Sequence, residues 1–99
     1  MSDYTPVNGR NRVLLVDDDL AQIRTLTDCL DIEDLDAAAC SSGHDAIDLC
    51  ISNPLNVAII DPRLPDMEGI ELLQKLREIN PEIQVIIHTG HATLETAME

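Results

Sequence analysis

Short apolar runs alternate with amphipathic segments along most of this chain. The apolar runs, rich in Val, Ile, Leu and Ala, predict buried strands at residues 12–16, 36–40, 56–60 and 84–88. Between them, apolar residues recur at helical spacing and predict helices, the first with a stripe formed by Leu20, Ile23, Leu26 and Leu30. Asp19 is placed to cap that helix, and a fourth helix is predicted from Leu94. This alternation predicts an α/β domain with a parallel sheet and right-handed crossovers.

Three of the predicted strands end directly at polar side chains. The strings VLLVDDD, VAIIDP and VIIHTG place Asp17 and Asp18, then Asp61, then Thr89 where a strand gives way to a loop. Because the carboxyl ends of parallel strands lie along one edge of a sheet, these groups are expected to meet in one cleft. A single Asp after a strand is more often a cap or a turn residue, but the whole set in these positions favours a shared site.

The chemistry of this set points to a hard cation and a phosphoryl group. Mg²⁺ prefers carboxylate oxygens, with water completing its coordination, and it would lower the repulsion among the three acids. One acid could then act as a nucleophile and form an acyl phosphate. The Thr89 hydroxyl and the backbone N–H of Gly90 are suited to contact phosphoryl oxygens.

Composition narrows the class of protein. The 99 residues, 44% hydrophobic and 25% charged, indicate one globular domain at residues 12–99 behind a polar tail at residues 1–11. The net charge of −13 disfavours direct nucleic-acid binding, because such a surface repels a phosphate backbone. No segment has the apolar character of a signal peptide or the length of a membrane span, so a cytoplasmic domain is expected. The three cysteines, Cys29, Cys40 and Cys50, are expected to be small buried hydrophobes in a reducing compartment.

Three motifs occur together in a particular order and spacing, namely VLLVDDD, VAIIDPRLPDMEG and VIIHTG. Through them, and over residues 12–99, the chain resembles the receiver domain of bacterial two-component response regulators. The resemblance implies a flavodoxin-like receiver fold, with helices on both faces of a parallel sheet in the strand order 2-1-3-4-5. It also implies a signalling domain that takes a phosphoryl group from a sensor histidine kinase. Such a domain catalyses its own phosphotransfer and is not a turnover enzyme.

The resemblance implies roles for individual residues near the strand ends. By it, Asp61 is the phosphoryl acceptor and shares a Mg²⁺ ion with Asp18, a direct ligand, and Asp17, a second acid acting partly through water. The backbone carbonyl of Arg63 is implied as a further metal ligand. The remaining roles fall to Thr89 as the switch hydroxyl, Gly90 as a phosphoryl contact, and Arg63 and His91 as residues that tune loss of the phosphoryl group.

The sequence departs from the family pattern in two places. A receiver is expected to have a fifth strand, whose Lys pairs with the phosphoryl group, and then a fifth helix. This sequence ends before both, which predicts a C-terminally incomplete domain with four of the five βα units. Lys75 is expected to be surface of the third helix, unable to replace the missing Lys. Pro62, directly after the acceptor, has no N–H to donate to a phosphoryl oxygen.

The missing fifth strand has a consequence for the fourth. Residues 84–88 would form an edge strand that contains the apolar run Val85, Ile86 and Ile87. An exposed apolar edge with unpaired backbone groups invites pairing with another chain. A marginally stable monomer, or a homodimer through edge pairing or swapping, is therefore expected.

Two other interpretations of the acids stay open. A receiver-like interaction module that is never phosphorylated is suggested by the missing Lys and by Pro62. An aspartate-nucleophile phosphohydrolase of the haloacid dehalogenase type would use Asp17 and Asp19. That class expects Thr or Val where this chain has Ala21, and it needs a Lys and a larger domain. No membrane partner is expected, and the sequence does not determine the kinase, the signal or any output domain, such as one for transcription regulation.

Overall fold

The structure of the protein is a computed structural model that describes residues 11–88. Within that range, four strands alternate with three helices. The strands are β1 (Asn11–Val16), β2 (Leu35–Cys40), β3 (Val57–Ile60) and β4 (Gln84–Ile87), and the helices are α1 (Leu20–Ile32), α2 (Gly43–Ser52) and α3 (Gly69–Ile79). None of these helices has the length and apolar character needed to cross a membrane. β1 begins one residue inside the predicted tail, and the helix predicted from Leu94 lies outside the described residues.

All the strand pairings in this sheet are parallel. The strand order β2-β1-β3-β4 confirms the predicted parallel sheet and matches the order that the family resemblance implies. Val16 pairs with both Cys40 and Ile60, and Ile60 pairs in turn with Ile87, so the strand ends are aligned. The residues that directly follow β1, β3 and β4 therefore lie side by side at one edge of the sheet.

The core lies between one face of the sheet and helices α2 and α3. Its fully buried side chains include Leu14, Val16, Ala58, Ile60, Leu72 and Leu76. Burying a Leu or Ile side chain is worth roughly 1.5–3 kcal/mol relative to leaving it exposed. This face of the sheet is therefore the main source of stability, and it anchors the strands whose ends carry the acids.

The opposite face of the sheet is covered less completely. Because side chains alternate along a strand, Val13 and Leu15 point to the side away from Leu14 and Val16. α1 packs against β1 and β2, yet none of its residues is fully buried, and Leu20 is 75% exposed. The prediction that Leu20 belongs to the packed stripe was wrong, because the helix begins at this residue, beside the end of β2.

Two helices begin with side-chain caps. Asp19 caps α1 as predicted, since its Oδ1 accepts the N–H of Ala21 over 2.9 Å and that of Gln22 over 3.4 Å. Ser42 caps α2 by accepting the N–H of Asp45 on its hydroxyl over 3.2 Å. These caps fix the residue at which α1 begins after β1 and the residue at which α2 begins after β2, close to the aligned strand ends.

β4 lies at the edge of the described sheet. Ile86 is 52% exposed, and it lines an apolar groove of about 390 Å³ with Val13, Leu30 and Ile59. The groove lies on the face that α1 covers only in part. The apolar edge expected at residues 84–88 is thus present in the part of the chain that the structure describes.

Candidate functional site

Three carboxylates meet at the aligned strand ends. The Asp17 N–H donates to the Cys40 carbonyl over 3.1 Å, and the Asp61 N–H donates to the Val16 carbonyl over 2.9 Å. The hydrogen bonds between the strands thus continue one residue past β1 and β3. They fix the backbone positions of Asp17 and Asp61. Carboxylate oxygens of Asp17, Asp18 and Asp61 lie within 4.8 Å of one another, as expected from the sequence.

The three acids differ in burial. Asp17 is 5% exposed, Asp61 is half-buried and Asp18 is exposed. Burial raises the pKa of Asp17, and so do the charges of Asp61 and Asp18, although the N–H that Asp19 donates to Asp17 Oδ1 over 2.9 Å opposes the increase. Within residues 11–88, none of the three carboxylates forms an ion pair with a basic side chain. A bound cation would therefore stabilise the charged form of Asp17.

This set of oxygen atoms suits a hard divalent cation. Three carboxylates supply the oxygen ligands and negative charge that Mg²⁺ prefers, and the exposed side of Asp18 is open to the waters that complete its coordination. The backbone of Arg63 lies close to the cluster, because its N–H donates to Asp61 Oδ1 over 3.1 Å. The residues present at this edge fit the ion that the sequence predicts.

The β3–α3 loop runs from Asp61 to the first residue of α3, Gly69, and is closed by its own hydrogen bonds. The Gly69 N–H donates to the Pro62 carbonyl over 2.8 Å, and the Leu64 N–H donates to the Met67 carbonyl over 3.0 Å. A Cβ added at Gly69 would lie 2.6 Å from the Asp61 carbonyl oxygen and 2.9 Å from the Pro62 Cα. Only a glycine therefore fits where the loop turns into α3 directly behind Asp61.

The tip of the β3–α3 loop contacts α2 through Asp66, which the sequence pattern did not single out. Gly43 donates its N–H to Asp66 Oδ1 over 2.8 Å, His44 donates its N–H to Oδ2 over 2.9 Å, and the His44 ring contacts the same oxygen. The N–H donors of Gly43 and His44 lower the pKa of Asp66 to about 2. The sequence does indicate that the first N–H groups of α2 need hydrogen-bond acceptors. Its spacing does not show that Asp66 provides the acceptor oxygens.

Other residues predicted for the site are not all within the described range. Thr89, Gly90 and His91 lie outside it, so their roles stay predictions. Lys75 is exposed on α3, as expected for helix surface.

The expectation for the cysteines holds for two of the three. Cys50 is buried and Cys40 is half-buried, and burial raises the pKa of both thiols, that of Cys40 to about 11. Cys29 is exposed, which contradicts the expectation, because it lies on α1, a helix that buries none of its residues fully.

Comparison with known proteins extends these observations. The sequence model of the response regulator receiver domain matches residues 13–99. The chain is 31% identical over 93 residues to transcriptional regulatory protein ZraR of Salmonella typhimurium, covering 94% of this chain and 21% of that protein. It is similar in structure to a response regulator receiver domain protein (CheY-like) from Methanospirillum hungatei JF-1, with a TM-score of 0.79 and 32% identity over 90% of this chain and 71% of that one. A chain in the crystal structure of histidine kinase ThkA in complex with response regulator protein TrrA shares the fold, with a TM-score of 0.77 and 23% identity over 85% of this chain and 72% of that one.

The parallel sheet with helices on its two faces, and with acids at its aligned strand ends, defines an α/β domain of the flavodoxin-like receiver class. The chain belongs to the response regulator receiver domain family. Receiver domains of response regulators are signalling modules of two-component systems. The chain spans about a fifth of the length of the curated relatives it matches.

Proposed function

We propose that this chain accepts a phosphoryl group on Asp61 from a sensor histidine kinase in a Mg²⁺-dependent reaction. The observation that carries the proposal is the meeting of three carboxylates within 4.8 Å at the aligned strand ends of a receiver-family chain. Asp61 is half-buried, and one of its oxygens is oriented by the N–H of Arg63. A carboxylate that is held in place but open to solvent is suited to react with an incoming group.

The proposed reaction uses the residues at this edge in distinct ways. Asp17, Asp18 and Asp61, with the backbone carbonyl of Arg63, would hold the Mg²⁺. When bound, the ion supplies positive charge that reduces repulsion between the acids and the phosphoryl oxygens. An Asp61 oxygen forms a bond to phosphorus while the bond from phosphorus to the imidazole nitrogen of the donor breaks. The imidazole keeps the electron pair and takes up a proton, and Asp61 becomes an acyl phosphate.

Residues after the strand ends would contact the transferred group. The Thr89 hydroxyl and the Gly90 N–H would donate to its oxygens, and Arg63 and His91 would tune its loss. Pro62 has no N–H, so the position directly after the acceptor contributes no donor. The transferred group would therefore depend more on the donors of Thr89 and Gly90.

Incubation of the chain with Mg²⁺ and acetyl phosphate tests the proposed function. We expect mass spectrometry to find one added phosphoryl group, located on Asp61 by fragmentation, and none when a chelator removes the Mg²⁺. If neither the chain nor a version extended past Glu99 gains a phosphoryl group, the unphosphorylated interaction module is the better interpretation. Repeated hydrolysis of phosphate esters would support the phosphohydrolase.

The first turn of α1 is the surface over which we propose that the kinase approaches. Leu20 is 75% exposed there, and it lines a cavity of about 190 Å³ with Asp17, Ile23 and Cys40. Because Leu20 borders the cavity that Asp17 lines, a kinase docked on this turn would cover its apolar side chain next to the acid cluster. In this proposal the phosphohistidine of the kinase reaches Asp61 from the side of the cluster on which Leu20 and Asp17 lie.

Replacing Leu20 by Arg should slow phosphoryl transfer from a kinase that phosphorylates the wild-type chain. We expect a loss of about tenfold, which corresponds to about 1.4 kcal/mol of binding free energy, because Arg removes the apolar contact and places a charge in the proposed interface. The rate with acetyl phosphate should not change. Ile32→Arg is the matched control, since Ile32 is 81% exposed at the other end of α1. Equal slowing with both phosphodonors would contradict the proposed contact.

We also propose that two copies of the chain pair through β4. This proposal is supported by the position of β4 at the edge of the described sheet and by Ile86, which is 52% exposed. Sedimentation velocity should show a dimer that Ile86→Lys converts to a monomer, because a charge on an edge strand opposes pairing. A stable wild-type monomer at all concentrations would rule the pairing out.

The output of the whole protein is proposed from its relatives. ZraR is named a transcriptional regulatory protein, and this chain matches 21% of it. We propose that phosphorylation of the receiver controls an attached domain that acts in transcription. The net charge of −13 opposes direct contact of the receiver itself with DNA, so that contact would belong to the attached domain.

A further inference from the structure

The first N–H groups of α2 are bound by two different residues. Ser42, directly before the helix, accepts the N–H of Asp45. Gly43 and His44 donate instead to the carboxylate of Asp66, over 2.8 Å to Oδ1 and 2.9 Å to Oδ2. The N–H groups of the first helical turn have no partner inside the helix. A residue more than twenty positions away in sequence thus completes the cap of α2.

An apolar contact lies next to this polar one. Met67 is buried, and its sulfur lies so close to Gly43 that a Cβ added there would be 2.4 Å from Sδ. Asp66 and Met67, adjacent on the loop, therefore contact the first two residues of α2 in two chemically different ways. The tip of the β3–α3 loop and the start of α2 are held together as one unit.

The polar contact is present throughout the physiological pH range. The N–H donors of Gly43 and His44 lower the pKa of Asp66 to about 2, so its carboxylate is ionised at neutral pH. A negative charge at a helix N-terminus is also favoured by the helix dipole. Protonation of Asp66 therefore does not weaken the contact near neutral pH.

The restrained loop carries the groups proposed to bind the metal and the phosphoryl group. At its base, Asp61 accepts the N–H of Arg63 over 3.1 Å, and Pro62 accepts the N–H of Gly69 over 2.8 Å. These bonds close the base of the loop against the start of α3 but do not reach α2. The hydrogen bonds to Asp66 are the polar part of the contact between the tip of the loop and α2, and the packing of Met67 is its apolar part.

We propose that Asp66 is a positioning residue for the acceptor site. By binding the N–H groups of Gly43 and His44, it fixes the β3–α3 loop against α2 and so holds the Arg63 backbone and the Asp61 carboxylate in place. This inference rests on the proposed function for the roles of Arg63 and Asp61. The effect of Asp66 on the position of the loop does not depend on phosphorylation.

Amide hydrogen exchange of the 99-residue chain, measured by mass spectrometry, tests the restraint directly. Asp66→Ala should speed exchange both in the first turn of α2 and in the β3–α3 loop. Ser42→Ala is the matched control, because it removes a cap bond from the same helix end without touching the loop. It should speed exchange in α2 alone. Asp66→Asn keeps one acceptor oxygen and should give an intermediate result. It replaces Asp66→Ala in the comparison if Asp66→Ala does not fold.

Titration with Mg²⁺ and phosphorylation by acetyl phosphate test the effect on the site. Losing a residue that orients a metal ligand typically lowers metal affinity by about 10–100-fold. We expect the Mg²⁺ dissociation constant of Asp66→Ala to rise at least tenfold, and its phosphorylation rate at saturating Mg²⁺ to recover only in part. Ser42→Ala should match the wild-type chain in both measurements.

The outcomes separate this inference from the proposed function. If Asp66→Ala and Ser42→Ala give the same loop exchange and the same Mg²⁺ affinity, Asp66 is only a helix cap and the inference fails. If the wild-type chain takes no phosphoryl group, while Asp66→Ala still loosens the loop and weakens Mg²⁺ binding, the proposed function fails and the positioning role stands.

Discussion

Replacing Asp61 by Asn is expected to abolish phosphoryl uptake by this chain. An amide is a poor nucleophile, so no acyl phosphate forms at this position. The fold should survive, because the Asn Oδ1 can still accept the N–H of Arg63 and the backbone bond to Val16 does not involve the side chain. Removing one negative charge beside the buried Asp17 should also leave the thermal unfolding temperature unchanged or slightly raised. Mass spectrometry after incubation with Mg²⁺ and acetyl phosphate measures the uptake.

Asp19→Asn is a sharp control for this experiment. Asp19 lies two residues from Asp17 but caps α1, and Asn is an equally good cap, so phosphorylation should continue. In the phosphohydrolase interpretation, Asp17 and Asp19 form the reactive pair, and Asp19→Asn would instead be inactive. Undiminished phosphoryl uptake by Asp61→Asn would show that another residue is the acceptor.

Replacing Gly69 by Ala should damage both the stability and the reactivity of the domain. The added Cβ would lie 2.6 Å from the Asp61 carbonyl oxygen and 2.9 Å from the Pro62 Cα, and both are backbone atoms that cannot turn away. Alanine in a helix is favoured over glycine by at most about 1 kcal/mol, whereas overpacking costs about 1–3 kcal/mol. The steric clash should therefore outweigh the gain in helix propensity. It should lower the free energy of unfolding and shift Asp61 from its place beside Asp17 and Asp18. Urea unfolding and the rate of phosphorylation by acetyl phosphate measure the two effects.

Gly43→Ala provides the comparison for Gly69→Ala. Its Cβ would meet Met67, whose sulfur would be 2.4 Å away, but a methionine side chain can change rotamer. We expect a smaller loss of stability than at Gly69. If Gly69→Ala were as stable and as rapidly phosphorylated as the wild-type chain, the β3–α3 loop would have to be far more adaptable than its hydrogen bonds indicate.

The sheet could be predicted because its signal is local. Each apolar run is bounded by polar residues, and even β2, whose sequence of Ala and Asp is unfavourable for a strand, forms once β1 supplies hydrogen-bond partners along its length. The meeting of Asp17, Asp18 and Asp61 followed from the same pattern, since parallel strands bring their carboxyl ends together. Thr89 lies outside the described residues, and its place in the cluster stays a prediction.

The features that could not be predicted depend on how elements are placed relative to one another. The periodicity of α1 puts Leu20 on its apolar stripe, but its exposure depends on where the helix starts relative to the end of β2. The hydrogen bond that Gly43 donates to Asp66 joins residues 23 positions apart through the path of a loop, and no spacing in the sequence encodes that path. Such contacts become visible only when the loop and the helix are seen together.

The uneven covering of the two sheet faces predicts that the helices differ in their free energy of local unfolding. α3 buries Leu72 and Leu76 completely, whereas α1 buries no residue completely. The free energy of local unfolding follows buried apolar contact, so α1 should open more often than the layer of α2 and α3 on the other face. Asp17 and Asp18 lie in the chain between β1 and α1, where the sheet connects to this less buried helix. An ion bound by them would raise the free energy of local unfolding of α1. Occupancy of the site would therefore slow amide hydrogen exchange along the whole helix.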